Sequence, residues 1–103
     1  MTDANTPTEP PCHHIVYHGR VQGVGFRLTA TQIARRFAVA GYVKNMPDGT
    51  VEIVIRAEPR ILNEFLEAVE ETFEGYIDHR DIREATPNEC FEIETLSGFE
   101  IRY

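Results

Sequence analysis

The chain reads as an α+β domain, an antiparallel sheet with two helices packed on one face. Three observations predict this. Short runs rich in β-branched and aromatic residues recur along the sequence. Two longer stretches between them switch to helical apolar spacing. The resulting order is strand, helix, strand, strand, helix, strand, with a further strand at the end, which is the split βαβ or ferredoxin-like plan.

The elements follow in order. Residues 1–12 hold three of the six prolines and little apolar surface, so a flexible tail is expected there, with the domain proper over 13–103. His14 to Gly19 reads as the first strand. Glycines at 19, 23 and 25 then mark a loop of unusual backbone geometry. From Phe26 the period becomes helical, through Ala30, Ile33, Ala34 and Phe37, and the helix is expected to end near Ala40-Gly41. Tyr42 to Asn45 and Thr50 to Ile55 read as strands joined by a turn at Met46-Pro47-Asp48-Gly49. Pro59 suits a helix first turn, and Leu62, Phe65, Leu66, Val69 and Phe73 form its apolar face. Its carboxylates Glu64, Glu67, Glu70, Glu71 and Glu74 read as a solvated face. Tyr76 to Ile82 is a fourth strand. Residues 84–97 carry no clear period, only a turn signal at Pro87-Asn88. Phe99 to Tyr103 alternates as a last strand.

Composition narrows the function. With 103 residues this is one domain, large enough for one modest core. A net charge of −7 argues against nucleic-acid or anionic-membrane binding, which needs a basic face. Yet residues 13–44 hold Arg20, Arg27, Arg35, Arg36 and Lys44 and no carboxylate, so that segment suits a small anion. Two cysteines, Cys12 and Cys90, make no disulfide framework. With no signal peptide and no apolar span, a cytoplasmic protein with free thiols is the default.

The chemistry-bearing stretch is Gly19-Arg20-Val21-Gln22-Gly23-Val24-Gly25-Phe26-Arg27. A glycine-bearing loop entering a helix leaves backbone N–H groups without internal partners, and the helix dipole favours negative charge there. Arg27, in the first turn, adds a planar fork able to bind two phosphoryl oxygens. Cys12-His13-His14 has the wrong spacing for a zinc site. His18 reads as an ordinary strand residue, Asp48 as a turn former and Cys90 as an unactivated thiol. No metal is expected.

Two motifs carry a resemblance. Gly19 to Arg27, with Gln22-Gly23-Val24-Gly25-Phe26-Arg27 at its core, resembles the first signature of the acylphosphatase family. Gly41-Tyr42-Val43-Lys44-Asn45-Met46-Pro47-Asp48-Gly49-Thr50-Val51 resembles the second, at a matching interval, and the chain ends in a similar strand. The resemblance implies metal-free, cofactor-free hydrolysis of carboxyl–phosphate mixed anhydrides by a monomer. It assigns phosphate binding to Arg27 and to the loop residues Arg20, Val21, Gln22, Gly23 and Val24, and orientation of the attacking water to Asn45. Ala30 stands where many members carry a hydroxyl residue, Ala38 where many carry glycine, and Glu74-Gly75-Tyr76 where Gly-Pro is usual. The first motif is also similar to the acylphosphatase-like domain of long hydrogenase-maturation carbamoyltransferases, so a non-catalytic binding or accessory module is the alternative. An RNA-recognition module shares the strand–helix order but needs stacking aromatics and a basic face, which this chain lacks.

Overall fold

A computed structural model describes residues 10–103; most of the expected tail therefore lies outside the described residues. Eight elements follow one another: β1 (Cys12–Gly19), α1 (Phe26–Ala34), β2 (Ala40–Asn45), β3 (Val51–Arg56), α2 (Pro59–Thr72), β4 (Ile77–Glu84), α3 (Pro87–Glu92) and β5 (Phe99–Arg102). The five strands form one sheet in the order β4-β1-β3-β2-β5. β1 pairs antiparallel with β3 and β4, and β2 antiparallel with β3. The ferredoxin-like α+β plan is thus present. β5 adds a parallel pairing with β2 that makes the sheet mixed.

Alternation along the strands divides the sheet into two faces. Ile15 and Tyr17 of β1, and Val51, Ile53 and Ile55 of β3, join Phe26, Ala30 and Ile33 of α1 and Leu62, Phe65, Leu66 and Val69 of α2 in one buried core. Both long helices therefore cover the same face. Glu70 departs from the expected solvated row on α2. It accepts a hydrogen bond from the Tyr17 hydroxyl at 2.7 Å and pairs with Arg80 of β4. Burial and that carboxylate hold the Tyr17 phenol well above its ordinary range.

α1 is shorter than its apolar spacing predicts. It stops at Ala34, and the next residues close tight bonds, Arg36 N–H to Ile33 O and Phe37 N–H to Ala34 O. The reason lies in the sheet: Ala40 and Gly41 are already paired with Arg56 and Ile55, so the chain has only five residues in which to reverse. Phe37 keeps its place against the core without being helical. Ala38 has no positive φ, since no non-glycine residue among those described does, and so carries no left-handed strain.

The opposite face holds two departures from expectation. The segment read as unassigned contains α3, started by Thr86, whose hydroxyl accepts from Glu89 N–H while the Glu89 carboxylate accepts from Thr86 N–H. This is a capping box written as Thr86-Pro87-Asn88-Glu89. Ile93, Leu96 and Cys90 then pack on Cys12, Tyr42 and Val54. Cys12 and Cys90 are joined in a disulfide with Cα atoms 5.8 Å apart. The expected free thiols are therefore corrected, and the cytoplasmic expectation loses the thiol argument it rested on. The bridge forms because Cys12 begins β1 on the face that α3 covers, a proximity hidden by 78 residues of separation.

The bridge closes a long loop, so its loss should be felt. Cys12→Ser with Cys90→Ser is expected to lower unfolding free energy by up to about 4.5 kcal/mol, the chain-entropy value for a loop of this length, measured by denaturant titration. A second expectation concerns acid. Arg83 grips Glu89 with two bonds of 2.8 and 2.9 Å; that pairing holds the Glu89 carboxyl down to about 2, from an ordinary 4.5. A depressed carboxyl stabilises the fold above its unfolded value and loses that contribution as pH falls through the folded one. Glu89→Gln should therefore lower Tm at neutral pH. The gap to the wild type should narrow as pH drops through 4.5 toward about 2.

Candidate active site

The loop after β1 is fixed at both ends. At Gly19 the backbone φ is +125°, and a Cβ there would lie 2.3 Å from the Tyr76 carbonyl oxygen and 2.7 Å from the Asp78 nitrogen. Only glycine permits so close a strand crossing. Arg20 N–H then donates to that same Tyr76 carbonyl at 2.8 Å. Val21 is fully buried and pins the loop to the core. At the far end Gly25 caps α1 with φ of 77°, a left-handed position, and no side chain caps the helix. Among the described residues, the main-chain N–H groups of Val21 to Gly25 donate to no other main-chain group. With no acid in the first turn of α1, these donors and the helix N-terminus make a neutral-to-positive cradle.

Arg27 rises from that first turn. Its Nη1 donates to the Arg102 carbonyl oxygen at 3.2 Å, and its guanidinium carbon lies 4.7 Å from the centre of the Tyr103 ring. The cation is thus held by Arg102 and Tyr103. Asn45 ends β2. Its Oδ1 is buried and has no hydrogen-bond partner in the protein, a costly condition for a polar atom unless something else fills it.

Gln22 links the two. Its Nε2 donates to the Met46 and Thr50 carbonyls, at 2.8 Å each, and so ties the loop to the β2–β3 turn beside Asn45. Asp48 serves that turn. Its Oδ1 accepts from the Thr50 hydroxyl at 2.6 Å and the Thr50 N–H at 3.0 Å, bonds that hold its carboxyl below the usual range. Its role as a turn former, read from the sequence, agrees with this geometry.

A cavity of about 210 Å³ opens among Val21, Gly23, Gly25, Arg27, Asn45 and Tyr103, and none of its lining residues is acidic. Arg20, Gln22 and Val24 belong to the same loop without lining the cavity. The Arg20 guanidinium instead lies 5.4 Å from the Tyr76 ring centre. A larger cleft, about 460 Å³, sits at the opposite end of β2, among Phe37, Val39, Ala40 and Gly98.

Ala30 is fully buried in the core under α1, so a hydroxyl would have no place in the cavity from there. Thr31 donates its hydroxyl to the Arg27 carbonyl at 2.8 Å within the helix. Cys12, His13 and His14 do not converge. Cys12 is bridged, while His14 Nε2 sits 2.9 Å from Glu52 Oε2. Sequence reasoning missed Tyr103 and the Gln22 side-chain bridge. The terminal aromatic could have been noticed, but its partner depends on the pairing of β5.

Residues 13–101 match the family model for acylphosphatase. An acylphosphatase of Archaeoglobus fulgidus is 38% identical over 94 residues, covering 86% of this chain and 94% of that one. One of Thermococcus kodakarensis is 54% identical over 46 residues, 45% of this chain and half of the relative's length. The crystal structure of acylphosphatase from Bacillus subtilis superposes with a TM-score of 0.74 at 34% identity, covering 89% of this chain and 98% of that one. The chain belongs to the acylphosphatase family, whose members are hydrolases of acid anhydrides.

Proposed function

We propose that this chain hydrolyses acyl phosphates to carboxylate and phosphate, with the loop amides from Val21 onward and Arg27 holding the phosphoryl group and Asn45 holding the attacking water; the Arg20 amide, expected from the sequence to join them, is committed to the Tyr76 carbonyl. The observation that carries the reading is the common cavity. Val21, Gly23, Gly25, Arg27 and Asn45 line one space, the loop N–H groups donate to no main-chain acceptor, and Asn45 Oδ1 is buried with no partner in the protein.

The chemistry follows from that set. The phosphoryl group enters the cradle with its equatorial oxygens toward the N–H groups and the Arg27 fork. In a loose transition state these oxygens carry the charge, and preorganised donors stabilise it. Asn45 Oδ1 accepts a hydrogen bond from water and holds its oxygen in line with phosphorus. Water oxygen bonds to phosphorus as the bond to the acyl oxygen breaks. The carboxylate departs with the electron pair, and the water proton ends on phosphate. The carboxylate is a good leaving group, so the reading calls for neither a general base nor a metal. Tyr103, 90% exposed, and Leu28 stand at the rim, where the acyl group would leave the cavity.

Turnover of benzoyl phosphate in excess chelator tests the reading. The wild type should turn over. Arg27→Ala should lose about 10²–10³-fold or more in kcat/KM, the cost of removing a donor to developing charge. Asn45→Ala should lose about 10²-fold in kcat with KM little changed, as for a misplaced nucleophile. Folded wild type that binds phosphate without turnover would favour the non-catalytic module. Gln22→Met removes two bonds of about 1 kcal/mol each while keeping volume. The expected result is a fall in kcat of roughly tenfold from the loosened loop, with Tm lowered by roughly 10 °C, the shift that ~2 kcal/mol brings to a domain of this size.

A further inference from the structure

We propose that His18, His79 and Asp81 form a binding site for a divalent transition metal of the zinc class, separate from the phosphate cavity. The register of β1 and β4 builds it. His18 stands directly opposite His79, and Asp81 lies two residues further along β4, opposite Val16. Strand alternation puts all three on one face of the sheet. It is the face away from the long helices, because the intervening Arg80 turns the other way to meet Glu70 of α2.

The donor atoms already converge. The two imidazoles stack with centres 4.1 Å apart and planes 10° from parallel. Asp81 Oδ2 lies 2.9 Å from His18 Nε2 and 3.9 Å from His79 Nε2. All three donor atoms fall within 4.8 Å of one another. Zinc bonds of ~2.0–2.1 Å in a tetrahedron set ligand atoms roughly 3.3 Å apart, a spacing that the two measured distances bracket. Small side-chain rotations on a paired backbone would complete the shell.

The donor chemistry selects the metal. Two imidazoles and one carboxylate suit zinc, copper or nickel and disfavour magnesium and calcium, which take oxygen shells. His79 and Asp81 are 60% and 70% exposed, leaving room for water in the fourth position. The site borders the phosphate loop without entering it. His18 precedes Gly19, and the Tyr76 carbonyl that anchors Arg20 precedes β4. A bound ion would cross-link β1 to the edge strand at the root of that loop, so it should stabilise the folded chain.

The test uses the untagged full chain and zinc chloride in a non-chelating buffer, by calorimetry and thermal unfolding. The expected result is saturable one-to-one binding at neutral pH and a rise in Tm. Binding should weaken in acid, because imidazole ligates only as the neutral base. His79→Ala and Asp81→Ala replace exposed side chains, and each should weaken binding roughly tenfold or more, the loss that even an outer-shell partner brings. Circular dichroism in chelator checks that both remain folded. His14→Gln, which removes the histidine beside Glu52 and Glu89, should leave zinc affinity unchanged. The proposal is overturned by absence of saturable zinc binding to the folded wild type, by undiminished binding in the His79 and Asp81 variants, or by loss confined to His14→Gln.

Discussion

Everything at the cavity between the glycine loop and Asn45 depends on how β1 and β2 meet β3. Tyr17 of β1 and Asn45 of β2 are both paired with Val51. Two strands that run antiparallel to a common neighbour run in the same direction as each other. Their exits therefore lie at one edge of the sheet. The glycine loop leaves β1 two residues past that row, and the Met46–Gly49 turn leaves β2 from it. Gln22 then joins loop to turn through two carbonyls. Placement of the amides relative to Asn45 is thus a property of strand register, and a slip by one residue would turn the side chain of Asn45 to the opposite face.

The parallel pairing of β5 has a consequence at the same edge. Lys44 stands opposite Arg102, so Arg102 and Tyr103 arrive at the cavity that Asn45 lines and meet Arg27. An antiparallel fifth strand would carry its last residues to the far end of β2. The long guanidinium side chain is restrained by the Arg102 carbonyl and the Tyr103 ring, an entropy cost met in folding. Asn45 Oδ1 shows the opposite economy. It is buried without a protein partner, an uncommitted acceptor kept at a cost to the fold.

Much of this was legible in the sequence. The strand order, α2 and the two motifs could be read because period and turn chemistry agree there. Gly19 and Gly25 mark positions whose backbone geometry no side chain would tolerate easily. Other features could not be read because they depend on contacts distant in sequence. Phe37 sits at helical spacing yet lies beyond α1, because strand pairing at Ala40 takes precedence over helix propensity. The disulfide joins residues whose closeness follows from α3 covering one face of β1. α3 itself carried a local sign in Thr86 and Glu89. Glu70 looked like one carboxylate in a solvated row until Tyr17 and Arg80 met it from β1 and β4. The Gln22 bridge needs two carbonyls of a turn more than twenty residues away.

The proposed cradle holds a phosphoryl group between the loop amides and Arg27, with Asn45 facing it, and titration of inorganic phosphate into uniformly ¹⁵N-labelled protein tests that arrangement. Saturable shifts are expected at the main-chain amides from Val21 to Gly25, the Arg27 side chain and the Asn45 side-chain amide, with little change elsewhere. Shifts centred instead on Val39, Ala40 and Gly98 at the opposite end of β2, or the absence of saturable shifts in the loop, would contradict it.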